Sequence, residues 1–181
     1  MQPARFQKET AKVYSIKINF LAALIFIGTA IFSGCGKDEA PNGGPASAPV
    51  EKVVFTEGFY NLEKGPNDLS WRWMGDAGSV KLKNFRKDSV LKFVAEVPMR
   101  YFPTPPSITV TLNGQKLEQF TATPGRIEKI YNISAAQLGG ADYADLKIST
   151  DKTFVPKEVE KNSTDPRKLG VQLDDLAWES N

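Results

Sequence analysis

Five consecutive residues, Ser70-Trp71-Arg72-Trp73-Met74, carry the side chains best suited to recognising a sugar. A flat indole can stack on the C–H face of a pyranose ring, and the planar guanidinium of Arg72 presents fixed donors to ring hydroxyls. Alternation along an extended strand puts Trp71 and Trp73 on one face and Arg72 on the other. The same spacing also suits a core, because burying two large aromatics stabilises a sandwich strongly. The core is the expected place for both indoles, with Arg72 on the opposite face beside an acid. Met99-Arg100-Tyr101-Phe102-Pro103-Thr104-Pro105-Pro106 is the better surface candidate. It reads as a Pro-stiffened loop that either displays Tyr101 and Phe102 to a ligand or folds them back over the open end of the fold. Arg167 is able to meet a ligand carboxylate or a neighbouring acid. Trp71, Arg72, Trp73, Tyr101, Phe102 and Arg167 are therefore the candidate ligand-binding residues.

Other chemistries are harder to build. Histidine is absent, which excludes a Ser-His-Asp type of nucleophile. With no histidine and one cysteine, the usual zinc ligands are missing. Asp142, Asp145, Asp174 and Asp175 offer oxygens for calcium, but no ordered Asp/Gly loop holds them. Two carboxylates alone suffice for a glycosidase, and Glu57, Glu63, Asp68 and Asp76 lie near the aromatic strand. Acids in turns are usually just solvated, so no catalytic residue, metal or cofactor is assigned.

The single cysteine, Cys35, follows Ile31-Phe32-Ser33-Gly34. Ahead of it stand Arg5, Lys8, Lys12 and Lys17, then an apolar run from Phe20 to Gly34, the layout of an export signal. A cysteine directly after small residues resembles the lipobox of bacterial lipoproteins, with Phe32 where that family usually has leucine. The resemblance implies cleavage before Cys35, diacylation of its thiol and often acylation of the new N-terminus. Stable attachment takes two or more chains, so a triacylated cysteine clears the threshold. The alternative, an uncleaved membrane anchor, suits the run less, because its 15 residues fall short of the roughly 18 a spanning helix needs. Gly36, rather than an aspartate, follows the cysteine, which resembles the default route to the outer membrane in a two-membrane cell.

Residues 1–34 thus read as a signal peptide, 35–51 as a lipidated cysteine and tether, and 52–181 as one domain. Removing the signal leaves 19 basic and 20 acidic residues, a net charge near −1, so no strong field favours nucleic acid. The tether, rich in Pro, Gly, Ala and Ser, has nothing to bury and an r.m.s. span of roughly 20–25 Å. The domain has the commonest domain size and no cysteine, so it rests on its core alone.

Short alternating runs make that domain mostly β. Strands are expected at 52–56, 70–74, 79–83, 90–97, 107–112, 116–121, 126–133, 143–150 and 169–178, with 90–97 central because it is long and apolar. Asn113-Gly114 predicts a tight hairpin turn. Ser134 and Gly139 bracket one helical turn, and 156–168 reads as a polar loop. The terminal strand is expected to pair with an early one. The expected fold is all-β, an antiparallel sandwich of the jelly-roll kind.

Several pieces in order, Phe59-Tyr60 with Glu63, Trp71-Arg72-Trp73-Met74, Asn113-Gly114, Lys147-Ile148 leading to Thr153-Phe154-Val155-Pro156, and Asp165 to Val171, are similar to galactose-binding-like jelly-roll domains attached to bacterial glycosyltransferases and surface-polysaccharide proteins. The resemblance spans nearly all of 52–181 and implies a β-sandwich with glycan contact and a framework role for Arg167. No transferase domain accompanies it here, so no catalytic role is implied. The sequence reading is a lipid-anchored sandwich, on the outer membrane, that binds an envelope polysaccharide without catalysis. A protein-interaction lipoprotein with a membrane-protein partner is the second reading, and a carboxylate-dependent glycan-processing enzyme the third.

Overall fold

The computed structural model describes residues 50–181; the expected signal at 1–34, Cys35 and the tether as far as residue 49 lie outside them. Ten strands are described: β1 (Val53–Phe55), β2 (Glu63–Lys64), β3 (Ser70–Met74), β4 (Ala77–Lys83), β5 (Ser89–Glu96), β6 (Ser107–Leu112), β7 (Gln115–Thr121), β8 (Arg126–Ile133), β9 (Tyr143–Thr150) and β10 (Val171–Ser180). Two short helices, α1 (Ala135–Leu138) and α2 (Pro156–Val159), and a 3₁₀ turn at Met99–Tyr101 lie between strands.

The strands form two five-stranded antiparallel sheets, ordered β1-β4-β9-β6-β7 and β2-β3-β10-β5-β8. From β3 onward successive strands alternate between sheets except at the β6–β7 hairpin, and the last strand, β10, pairs beside β3, which is jelly-roll topology. The expected pairing of the terminal strand is present, since β10 lies between β3 and β5, and β5 is interior in its sheet. β2 and α2 were not expected. The first has two residues and no apolar pattern, and the second begins at Pro156, whose fixed φ suits a first helical turn within an otherwise polar stretch.

Alternation builds the core. Val80 and Leu82, Ile108, Val110 and Leu112, and Ala144, Leu146 and Ile148 face Leu91, Phe93, Ala95, Ile127, Leu173 and Trp178 across the sheets, all buried. Trp178 stacks on Phe85 and donates its indole N–H to the Lys83 carbonyl at 2.8 Å, so its one polar atom is satisfied. At the hairpin, Asn113 and Gly114 both have positive φ, 49° and 78°, as a type I′ turn requires. Ser134 caps α1 in a reciprocal capping box with Gln137.

The sandwich has two long edges. At one, β7 and β8 face each other, and Glu118 takes a 2.6 Å ion pair from Lys129 and a 2.8 Å bond from the Tyr131 hydroxyl. The Lys129 bond holds the Glu118 carboxyl below its ordinary range. Burial, with the bond to Glu118, pushes the Tyr131 phenol up. The other edge, between β1 and the β2–β3 pair, carries the candidate site.

Candidate functional site

Met74 is fully buried in the core, so alternation turns Arg72 inward with it and sends Trp71 and Trp73 outward. This reverses the expected placement: both indoles are half-buried on the outer face. Arg72 also departs from expectation, because it forms no ion pair among the described residues. Its guanidinium lies 4.8 Å from the centre of the Phe55 ring, on β1 of the other sheet, and donates to the Tyr60 carbonyl at 3.2 Å. A cation over an aromatic face replaces the expected acid.

β2 exists to place Glu63. Its register sets Glu63 opposite Trp71, and Glu63 Oε2 accepts from the Trp71 indole N–H at 3.1 Å. Glu63 Oε1 accepts from Arg167 Nη1 at 2.6 Å. Arg167 then grips Asp165 through Nε and Nη2 at 2.7–3.0 Å, and its guanidinium sits 5.1 Å from the centre of the Tyr60 ring. The Tyr60 hydroxyl closes the circuit by donating to the Lys168 carbonyl at 3.2 Å. The Arg167 bond holds the Asp165 carboxyl below the usual range, and the pair with Asp165 pushes Arg167 up. Arg167 is thus engaged by two acids and positions the wall of the site.

The cleft itself comes from a β-bulge. β10 pairs with β3 only as far as Leu173↔Arg72, and its register against β5 steps from Leu173↔Ala95 to Asp175↔Val94. The extra residue, Asp174, bends β10 away from the start of β3. The opening, about 240 Å³, is lined by Phe55, Leu62, Trp71, Arg72, Asp174 and Asp175, with Leu173 and Leu176 behind. Asp175 is exposed, and Asp174 accepts from Gln172 Nε2 at 2.7 Å. A guanidinium with no acid partner among the described residues, two carboxylates and two aromatic side chains therefore border one opening.

The remaining candidates gather elsewhere. The segment from Phe154 to Leu169 is closed at its base by a two-residue bridge and lays Phe154 on the outer face. Tyr101 stacks on Phe154 at 4.4 Å between centres, while Phe102 and Trp73 meet it edge-on at 5.9 and 6.1 Å. The Tyr101 hydroxyl donates to Glu160. The loop 99–106 therefore folds its aromatics back. Phe55, Leu62, Asp174 and Asp175 were missed as site residues. A signal for the two aspartates was present: apolar residues at 171 and 173 change phase to 176 and 178, the mark of an inserted residue. Among the described residues no three His, Cys, Asp or Glu side chains group as a metal site, and no helix is long and apolar enough to cross a membrane.

No family model matches the chain, and no curated protein does. Solved structures do. A family 35 carbohydrate-binding module from Clostridium thermocellum is 10% identical, with a TM-score of 0.41 over 72% of this chain and 100% of that one. A family 35 module from Paenibacillus barcinonensis is 14% identical, with a TM-score of 0.38 over 72% and 94%. A family 61 module in complex with β-1,4-galactotriose is 10% identical, with a TM-score of 0.37 over 71% and 87%. Likeness at this level carries no ligand and no site residue to this chain.

Proposed function

We propose that this protein is a lipoprotein of the cell envelope whose sandwich binds a carbohydrate without catalysis, in the cleft between β3 and β10. The observation that carries the reading is the bulge at Asp174, which brings Trp71, Arg72, Asp174 and Asp175 to one opening. Arg72 offers sugar hydroxyls the guanidinium N–H groups not spent on the Tyr60 carbonyl, the two aspartates accept from them, and the half-buried Trp71 ring supplies a stacking surface. The opening is smaller than the roughly 300–1,000 Å³ that encloses a drug-sized molecule. It suits one residue of a polymer lying across it better than an engulfed small metabolite. Glu63, the acid beside Trp71, has a positioning role in this reading, since its two oxygens already accept from Trp71 and Arg167.

Acyl chains on Cys35 would hold the sandwich at a membrane, the outer one by the Gly36 signal, with the tether giving it reach into the surrounding polysaccharide. One observation favours a second reading, docking to a membrane-protein partner: Leu62 and Leu69 beside the cleft are 48% and 61% exposed. A glycan array carrying envelope polysaccharides, probed with the full-length protein in detergent, separates the two. Binding that is lost in Arg72→Gln supports the sugar reading, and silence across the array removes it. Membrane fractionation of Cys35→Ser tests the anchor separately: release of the variant into the soluble fraction is expected.

A further inference from the structure

A second cleft opens along the same edge, about 280 Å³, lined by Gly58, Tyr60, Gly75, Asp76 and Lys168. It shares a wall with the first. Tyr60 lines one cleft and Leu62 the other, and Arg72 of the first cleft holds the Tyr60 carbonyl. The Glu63–Arg167–Asp165 circuit and the Tyr60–Lys168 bond fix that wall from behind. Arg72 and Gly75 are three residues apart on one chain segment, roughly 10 Å at about 3.3 Å per residue.

The composition of the second cleft repeats the first in a different arrangement. An aromatic ring, an exposed carboxylate at Asp76 and an exposed ammonium at Lys168 surround a floor with little side-chain bulk. The floor depends on glycine. A Cβ on Gly58, where φ is +75°, would lie 1.8 Å from the Ala77 carbonyl oxygen, so only glycine lets the chain pass this close to β4. Gly75 differs: a Cβ there would meet only the Lys168 carbonyl oxygen, at 3.5 Å, which is ordinary van der Waals contact.

We infer that the two clefts are subsites for one linear oligosaccharide running along the β1/β3 edge, the Trp71 cleft taking one residue and the Gly75 cleft a later one. The inference rests on the sugar-binding reading of the Trp71 cleft. Its ligand class is therefore a chain of several sugar residues, recognised along its length rather than at a single terminal unit.

The test uses the full-length protein in detergent against immobilised homo-oligosaccharides of glucose, galactose, mannose, xylose and N-acetylglucosamine, each one to six residues long. For a sugar that binds, affinity is expected to rise with length by at least about tenfold, the worth of one charge-assisted hydrogen bond. Gly75→Val, which narrows the second cleft, should abolish that gain and leave the affinity for the shortest binding member unchanged. Lys168→Ala should reduce it in the same way without adding bulk. Affinity that is flat with length, or a gain that survives both variants, overturns the second subsite while leaving the Trp71 cleft in place. Absence of binding at every length overturns the sugar reading together with the subsite.

Discussion

Trp71 and Trp73 leave the same face of β3 two residues apart, yet their surroundings differ. Trp73 meets Phe154 edge-on, and Phe154 in turn carries Tyr101 and Phe102, so this end of the sheet is a small aromatic core of its own. Trp71 is held by one hydrogen bond from its indole N–H and by the close approach of Gly65, and it borders an opening lined with charged groups. The difference comes from the segments that cross the sheet. The 154–169 segment covers Trp73, whereas at Trp71 the bulge in β10 carries that strand away. Identical residues on one strand thus stand in a packed aromatic cluster at one end and beside the proposed binding cleft at the other, and what divides them is distant in sequence.

Breaking the packed end should give the largest effect. Phe154 is 8% exposed and touches three aromatic rings, so Phe154→Ala should cost about 3–5 kcal/mol in denaturant unfolding. Glycan affinity of the folded fraction should hardly change. Trp71→Ala should invert that pattern. It should weaken glycan binding about 10- to 100-fold, read by calorimetric titration, with a smaller loss of stability than Phe154→Ala. Equal effects of the two variants on binding would erase the proposed division of labour.

How much of this division was legible in the sequence follows from what alternation encodes. Period two separates Trp71 and Trp73 from Arg72, but it does not say which face is inside. Counting apolar residues on Ser70–Met74 selects the tryptophans, and that is wrong because Met74 fills the core while Phe55 and the Tyr60 carbonyl accommodate the Arg72 cation. The hairpin at Asn113-Gly114 was readable because its positive φ values leave few residue choices. The strand runs were readable for the same local reason. Glu63 was visible as an acid near the aromatic strand, but its pairing with Trp71 and Arg167 depends on a chain separation of 104 residues for the latter. As isolated acids Asp174 and Asp175 suggest only calcium ligands, because one uninterrupted alternation along the terminal strand gives them no cleft to line. The phase change between Leu173 and Leu176 breaks that alternation and makes the cleft.

A change at the opposite edge should have a smaller effect. Tyr131→Phe removes one hydroxyl from the Glu118–Lys129 cluster that closes β7 on β8. It should cost about 0.5–1.5 kcal/mol in denaturant unfolding. Glycan binding should be untouched, because this edge lies on the far side of the sandwich from the cleft.

The smallest expected effect is in the pH dependence of the wall. Asp165 has its folded pKa lowered by the bond from Arg167. Its contribution is therefore complete above its ordinary pKa of roughly 3.9 and is lost as pH falls through the lowered folded value. Unfolding midpoints of the wild type and Asp165→Asn should differ by a constant amount from pH 7 to about 5, and the gap should close at pH values below about 4. A gap that widens in acid would mean that Arg167 does not stabilise the Asp165 carboxylate.

Asp175 borders the opening proposed to hold sugar, and changing it disturbs the fold least, because it is exposed and without a hydrogen-bond or ion-pair partner among the described residues. The decisive measurement is calorimetric titration of the full-length protein and its Asp175→Ala variant with the oligosaccharide that binds best on the array. The unfolding midpoint should be unchanged and the affinity at least about fivefold weaker, the loss of one carboxylate–hydroxyl hydrogen bond. Equal affinity in the two proteins would contradict sugar binding in this opening.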